Sequence, residues 1–519
     1  MNDARRPRRR RRPRRWRRLL DTASNALLAA LVLISLGLAG VLWSGALWAA
    51  TPAAGQVLGA LSYQMPGDLE TGGNTTAVAA PERLVLLYPS AQGDVALGNP
   101  SSGAFVQAWN AVLALLPRVA SAAARPVGFK GVAAALAAFS GPSPFRGGAG
   151  CRAGVEVDIG AALPWSDWLQ AATGAASVQQ WPAAVDRVIL LPGGGGTPSD
   201  APDLYLLDGG SAEQVAVSAA PYAVLESALC ALLPQAQAAG YPVAPLAPSG
   251  VQTGLPHGVL AAVPNPAALL VPEASVLPAW RPLQLAAESN SPASVNRLAQ
   301  SVFPDLLAVR RTTSRGSTVF TSASNWMLTV GSGESTLIVP AGSGPAPSWY
   351  RSLVDALRFV DLRGGWPPGA WLSGVQPSTA CTILSCSAAT SFTELFSLRQ
   401  AGLPVLTTAD SAPALSVTVG AGGDPTFYLR AVRIAGPPLG ARPQVISAAE
   451  AINAVYRDPP SGLGAGPLEV VAVLPAWTPV GAVLQPVWAV EVDASPSGRP
   501  ATELVAAASG DVVGVWGGL

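Results

Sequence analysis

Residues 26–50 read ALLAALVLISLGLAGVLWSGALWAA, an uncharged run that decides how the rest of the chain is arranged. Twenty-five residues at about 1.5 Å rise each exceed the roughly 30 Å hydrocarbon core of a bilayer, so the run predicts one membrane-spanning α-helix. Eleven arginines fall within the first eighteen residues, whereas the next charge beyond the run is Asp68. By the positive-inside rule this asymmetry places the N-terminus in the cytoplasm and residues from 51 onward outside, a single-pass arrangement at the cell membrane. Trp16, Trp43 and Trp48 bracket the run where interfacial aromatics are expected. A cleaved signal peptide is the competing reading, with Ser44-Gly45-Ala46 as its site. A signal's apolar region is only about 7–15 residues long, so retention as an anchor is the expectation.

The run carries a second pattern. Ala26, Ala30, Leu33, Gly37, Gly40, Ser44 and Leu47 recur at alternating spacings of four and three, and five of the seven are small. They line one helix face, and small residues on such a face let another spanning helix approach closely in lipid. The stripe is the expected partner-binding face.

Composition narrows the possibilities for the remainder. Half the chain is apolar and 12% is charged, so the part beyond the anchor can build real cores. Without the arginine tail and the acids Asp3 and Asp21, 21 basic side chains face 29 acidic ones, a net charge of about −8. Beside a spanning helix the basic run reads as a topology signal and a contact for anionic lipid, and nucleic-acid binding is not expected. The four cysteines, Cys151, Cys230, Cys381 and Cys386, allow three pairings outside the membrane. Cys381 with Cys386 would close a small loop and leave Cys151 for Cys230. No Cys-x-x-Cys or Cys/His cluster supports a metal site.

The expected organisation is a basic tail (1–18), the anchor (19–50), a linker (51–80) and three α+β units, 81–245, 246–376 and 377–519. Their sheets are expected to be antiparallel, with helices on one face. Arg83 to Tyr88 and Val155 to Ile159 read as strands. Phe105, Trp109, Val112, Leu113 and Leu116 fall on one helical face. A Pro-rich passage from Tyr241 to about Pro282 reads as a link to the second unit. There a helix is expected near Ser294 to Phe303, then strands at 306–310, 318–321, 326–330 and 336–339, then a helix capped by Ser348. In the third unit Phe427 to Ile434 reads as one strand, and Ser447-Ala-Ala-Glu450 as a capping box. The helix-plus-meander plan shared by units two and three points to a structural duplication.

Catalytic signatures are scarce. One histidine, His257, excludes His-Glu-x-x-His sites, and one lysine, Lys130, excludes Ser-x-x-Lys enzymes. Gly193 to Gly196 follows a strand but lacks the Lys-Ser/Thr ending of a phosphate loop and reads as a hairpin loop. Glu156 and Asp158 alternate onto one face of a strand. Such a pair usually marks a solvated face, with acid/base machinery as the other possibility. No enzyme activity, cofactor or metal is expected.

The order of segments resembles the YycH regulatory proteins of Gram-positive bacteria, which accompany the cell-wall-sensing histidine kinase WalK, also called YycG. The resemblance lies in the basic tail and single span, in Pro81-Glu-Arg-Leu-Val with Ser101 to Trp109, and in Val155 to Leu169. It continues in Phe303-Pro-Asp305, Val309-Arg310, Phe320-Thr321, Trp326 to Leu328 and Phe359-Val-Asp-Leu-Arg-Gly-Gly-Trp366. Asp361 stands where the family often has Asn. The last unit resembles the domain that YycH shares with its companion YycI. The resemblance implies a non-enzymatic two-component regulator that contacts the kinase through the spanning helix and the exterior domains, together with a YycI-like protein. An anchored exterior enzyme or cell-wall-binding protein is the alternative expectation.

Overall fold

The computed structural model describes residues 79–89, 93–119, 124–140, 151–174, 185–193, 202–208, 211–245, 270–272, 280–287, 291–314, 316–363, 365–367, 369–378, 390–408, 412–441, 443–459, 468–494 and 501–516. The expected anchor lies outside them. Among the described residues no helix is long and apolar enough to cross a membrane.

The first part of the described chain builds one sheet from β1 (Arg83–Leu87), β2 (Asp94–Leu97), β3 (Ala124–Pro126), β4 (Gly154–Leu163), β5 (Val185–Leu191), β6 (Asp203–Asp208), β7 (Ser211–Ala216), β8 (Tyr241–Pro245) and β9 (Leu270–Pro272). Its helices are α1 (Gly103–Val119), α2 (Gly128–Ser140), α3 (Trp165–Thr173) and α4 (Ala219–Ala239). The strand order is β3-β7-β6-β5-β4-β1-β2-β8-β9, with every neighbouring pair antiparallel. β8 and β9 come from the passage expected to be a linker and instead extend the sheet edge.

All five residues of β1 are buried, because both faces of this sheet are covered. Leu84, Leu86 and Tyr88 join one core with Phe105 and Trp109 of α1, Trp165 and Trp168 of α3, and Leu225 and Leu229 of α4. Val85 and Leu87 point the other way, into a core with Val132 and Leu136 of α2. That second core also contains Trp280, Leu403 and Trp488, which belong to the second part of the chain.

The second part contributes β10 (Leu283–Ala287), α5 (Pro292–Val302), β11 (Arg310–Ser314), β12 (Ser317–Thr321), β13 (Met327–Val330), β14 (Ser335–Ile338), α6 (Trp349–Leu362), β15 (Trp371–Ser378), β16 (Ser391–Gln400), β17 (Leu403–Val405), β18 (Leu415–Val419), β19 (Pro425–Arg430) and β20 (Arg433–Pro438). It ends with α7 (Ala448–Arg457), β21 (Leu468–Val480), β22 (Val483–Ala494), β23 (Ala501–Ala506) and β24 (Val512–Val515). The fold class of the described region is α+β. Its sheets are antiparallel except where β17 meets β21 in parallel at Val405 and Trp477.

Three elements differ from the sequence reading. Residues 306–308 form a 3₁₀ turn capped by Asp305, whose carboxylate accepts the Leu307 N–H, and the strand starts only at Arg310. The single strand expected over 427–434 is two, because β19 pairs with β14 and β18 whereas β20 leaves to pair with β10. β14 pairs with β19 and β15 with β16, so one sheet runs through the expected boundary at 376/377. The repeated plan is nonetheless visible. α5 precedes the antiparallel meander β11-β12-β13-β14, and α7 precedes the antiparallel meander β21-β22-β23-β24. Each helix packs on one face of its meander.

Local capping follows the sequence. Ser348 accepts from the Arg351 N–H, and Ser447 with Glu450 forms the reciprocal box at the start of α7. The stretch Phe359 to Trp366 fastens α6 to the sheet: Phe359 meets the Tyr428 ring edge-on at 5.5 Å, Trp366 meets Phe396 at 4.9 Å, and Arg430 donates to the Gly365 carbonyl at 2.9 Å. The Gly365 N–H bonds back to the Val360 carbonyl at 3.1 Å, the closing bond of a helix C-terminus.

Beneath α6, Glu394 of β16 is fully buried and accepts from the Trp349 indole N–H at 3.2 Å. Burial raises its pKa to about 8, opposed by the neighbouring Ser352 hydroxyl and Trp349 indole. Folded, the group keeps its proton up to about pH 8, whereas unfolded it loses it near 4.5. Between those values the unfolded chain binds fewer protons, so stability falls as pH rises, by up to about 1.4 kcal/mol per unit. Glu394→Gln keeps an oxygen for Trp349 and removes the titration. Thermal melts should therefore coincide with wild type near pH 5 and lie above it at pH 8. Parallel profiles for the two proteins would rule the account out.

Candidate functional site

The charges of the first sheet gather on the face that Val85 and Leu87 share. Register puts Arg83 opposite Asp158 on β4, and Asp158 opposite Arg187 on β5. Glu156 sits two residues back on the same face. Arg83 Nη2 lies 3.2 Å from Asp158 and 3.7 Å from Glu156, and Arg187 Nε lies 3.6 Å from Glu156. Arg83, Glu156 and Asp158 are buried and Arg187 is nearly so, and the cluster balances two positive charges against two carboxylates. Burial works against the Arg83 and Arg187 charges, but the carboxylates outweigh it and hold both pKa values above the ordinary one. Burial likewise pushes the Glu156 carboxyl up, opposed by Arg187 and Arg83. The Glu156 and Asp158 pair is thus not a solvated face. It is the anionic half of a buried ionic cluster, because this face is covered.

A seam between the two parts of the described chain lies beside the cluster. Arg399 of β16 crosses it, donating to the Pro81 carbonyl at 2.9 Å and the Gly98 carbonyl at 3.4 Å. Its guanidinium lies 5.1 Å from the Trp371 ring centroid, a cation–π contact. Trp371 in turn packs so closely on Gly160, where φ is +75°, that a Cβ there would stand 2.8 Å from the indole. Gly402, at φ +81°, is equally tight: a Cβ would lie 2.8 Å from the Asn99 Cβ. Glu82 completes the seam. Its pKa rises to about 8 through burial and the nearby Asp158, opposed by Arg399 and Arg83.

On the far side of Arg399 a cavity of about 310 Å³ opens among β10, β16, β17, β20 and β22. Its walls include Leu285, Leu398, Val405, Val432 and Leu484, with Arg433 also contributing. The arginines that organise this region escaped the sequence reading. The available signal was a lone Arg leading into an apolar run, as in Arg83-Leu-Val-Leu-Leu and Arg187-Val-Ile-Leu-Leu.

Cys151 and Cys230 form a disulfide with Cα atoms 5.9 Å apart, joining the segment that leads into β4 to the middle of α4. Cys381, Cys386 and His257 lie outside the described residues, as do Ala26, Ala30, Leu33, Gly37, Gly40, Ser44 and Leu47. Lys130 falls in α2. The glycine run beginning at Gly193 joins β5 to its antiparallel neighbour β6. Among the described residues no group of three or more His, Cys, Asp or Glu side chains is placed to hold a metal ion.

The described region is therefore an α+β protein of two large sheets locked along a charged seam, with a cavity beside it. No protein-family model matches the chain. No curated protein matches it either. Among solved structures it is similar to the crystal structure of YycH from Bacillus subtilis, at 12% identity and a TM-score of 0.45, over 82% of this chain and 96% of that one. It is also similar to an uncharacterized protein from Eubacterium rectale, at 8% identity and a TM-score of 0.31, over 45% of this chain and 85% of that one. A third likeness is to the Bacillus megaterium YpeB C-terminal domain, at 12% identity and a TM-score of 0.28, over 44% and 98%.

Two outcomes test this geometry. Asp158→Ala leaves Arg83 buried without its closest partner and should cost about 3–5 kcal/mol in denaturant unfolding. The double replacement Arg83→Met with Asp158→Leu should recover most of that loss, and a single variant as stable as wild type would contradict the cluster. Replacing Cys151 and Cys230 together by Ser should lower stability by about 2–5 kcal/mol. Unchanged unfolding midpoints would show that the cross-link does not constrain the chain.

Proposed function

We propose that the chain is a membrane-anchored, extracytoplasmic regulator of a sensor histidine kinase of the WalK (YycG) type, acting by protein contact with a YycI-like companion. The observation that carries this reading is the Cys151–Cys230 bond. Disulfides persist outside the reducing cytosol, and the arginine-rich tail assigns residues beyond the apolar run to that same side. The resemblance of the tail, the span and the Phe359 to Trp366 stretch to the YycH family supplies the regulatory role. In this reading the charged tail stays inside, the helix spans, and the α+β region lies outside.

The mechanism needs no reaction. A helix packed beside the kinase's spanning helices biases two arrangements of them, and a differential contact energy of about 1–3 kcal/mol changes output roughly 5- to 150-fold. The stripe of Ala30, Gly37, Gly40 and Ser44 is where that contact is made, because small residues let backbones approach in lipid.

Gly40→Leu should hold the helices apart, abolishing in-membrane crosslinking to the kinase and shifting a transcriptional reporter of its target genes. Leu38→Ala, off that face, should leave both readouts near wild type. If both variants insert normally and behave alike, the helix only tethers and the contact lies elsewhere.

A further inference from the structure

The cavity beside Arg399 stands apart from the kinase-regulator reading. At about 310 Å³ it sits at the lower end of the range that takes small organic ligands, roughly 300–1,000 Å³. Its apolar lining includes Leu285, Leu398, Val405, Val432 and Leu484, and Gln400 and Thr407 add uncharged polar groups. Its charged lining residues are two arginines, and no carboxylate is among them. The two guanidinium groups are in different situations. Arg399 is committed to the Pro81 and Gly98 carbonyls and to the Trp371 ring. Arg433 stands exposed at the start of β20 and makes no salt bridge among the described residues.

A largely apolar cavity lined by a cation with no salt bridge among the described residues suits a ligand with an apolar body and one anionic end. We propose that this cavity binds a small amphipathic carboxylate of roughly ten carbons, its body among the leucines and valines and its carboxylate on Arg433. Arg399 lines the same cavity, and its head ties β16 to the first sheet. An occupied cavity packs against Arg399 and stabilises the seam, so the ligand also sets how firmly the two parts are joined.

The test uses 4-phenylbutanoate, a ten-carbon carboxylate, as the probe, with the uncharged 4-phenylbutanol beside it. Saturation-transfer NMR and melting temperature are read on the full chain in lipid nanodiscs, against empty nanodiscs. The wild-type chain should bind 4-phenylbutanoate saturably and melt higher with it. Arg433→Gln should weaken carboxylate binding about tenfold, the loss of one charge-assisted hydrogen-bond pair, while leaving 4-phenylbutanol unchanged. Ala435→Leu, which fills the cavity wall, should weaken both. Each variant is first matched to wild type by circular dichroism and unliganded melting temperature. Where Ala435→Leu does not fold, Ala414→Leu on the same lining replaces it. No saturable binding to folded wild type up to about 10 mM, well above a millimolar dissociation constant, would overturn the proposal. So would equal carboxylate binding by Arg433→Gln, or equal binding of both probes by the filled variant.

Discussion

Burial of every residue of β1 constrains everything around it. A strand alternates its side chains between two faces, so five consecutive buried residues require a sheet covered on both sides. α1, α3 and α4 cover one face. On the other, α2 shares a single core with Trp280, Leu403 and the α7–β22 layer, all from the second part of the chain. The first sheet thus completes its burial only when the second part is in place, and the seam between them is a folding requirement as much as a contact.

The charged groups at this seam follow from the same constraint. Arg83 opens β1 and its register puts it on the covered face, where an unpaired guanidinium is costly. Asp158, Arg187 and Glu156 arrive on neighbouring strands at the positions that neutralise it. Such a cluster adds little net stability, since desolvation consumes most of its Coulomb energy, but breaking it is expensive. Its effect is to make one register of β1, β4 and β5 far better than a slip by one residue, which would turn all four groups to the opposite core. Arg399 extends this logic across the seam, exchanging water for two backbone carbonyls and an indole face.

Beyond its first sheet the chain twice uses a helix followed by a four-stranded antiparallel meander, once with α5 and once with α7, and links them through β16, which pairs with β15 and β18 along one stretch and β17 along another. Backbone hydrogen bonds run continuously through β16, and Arg399 on the same strand joins this part to the first sheet through the Pro81 and Gly98 carbonyls.

Local signals were legible from the residues alone. Short-range physics sets them, as with the Ser348 and Ser447 caps, the apolar face of Trp349, Leu353, Leu357 and Val360 on α6, and the shared face of Trp488, Val490 and Val492 on β22. The anchor expected of the uncharged run 26–50 lies outside the described residues. The partners of Glu156 and Asp158 were not legible, because an alternating carboxylate pair has the same sequence whether its face meets water or a second layer. Only the tertiary structure, by placing Arg83 and Arg187 on adjacent strands under the cover of the second part of the chain, decided that these acids are buried and paired. It likewise decided that β19 and β20 separate at residues 431–432. A strand's partner is chosen by hydrogen bonds to segments distant in sequence, as β20 to β10 and β1 to β4, and no local pattern records them.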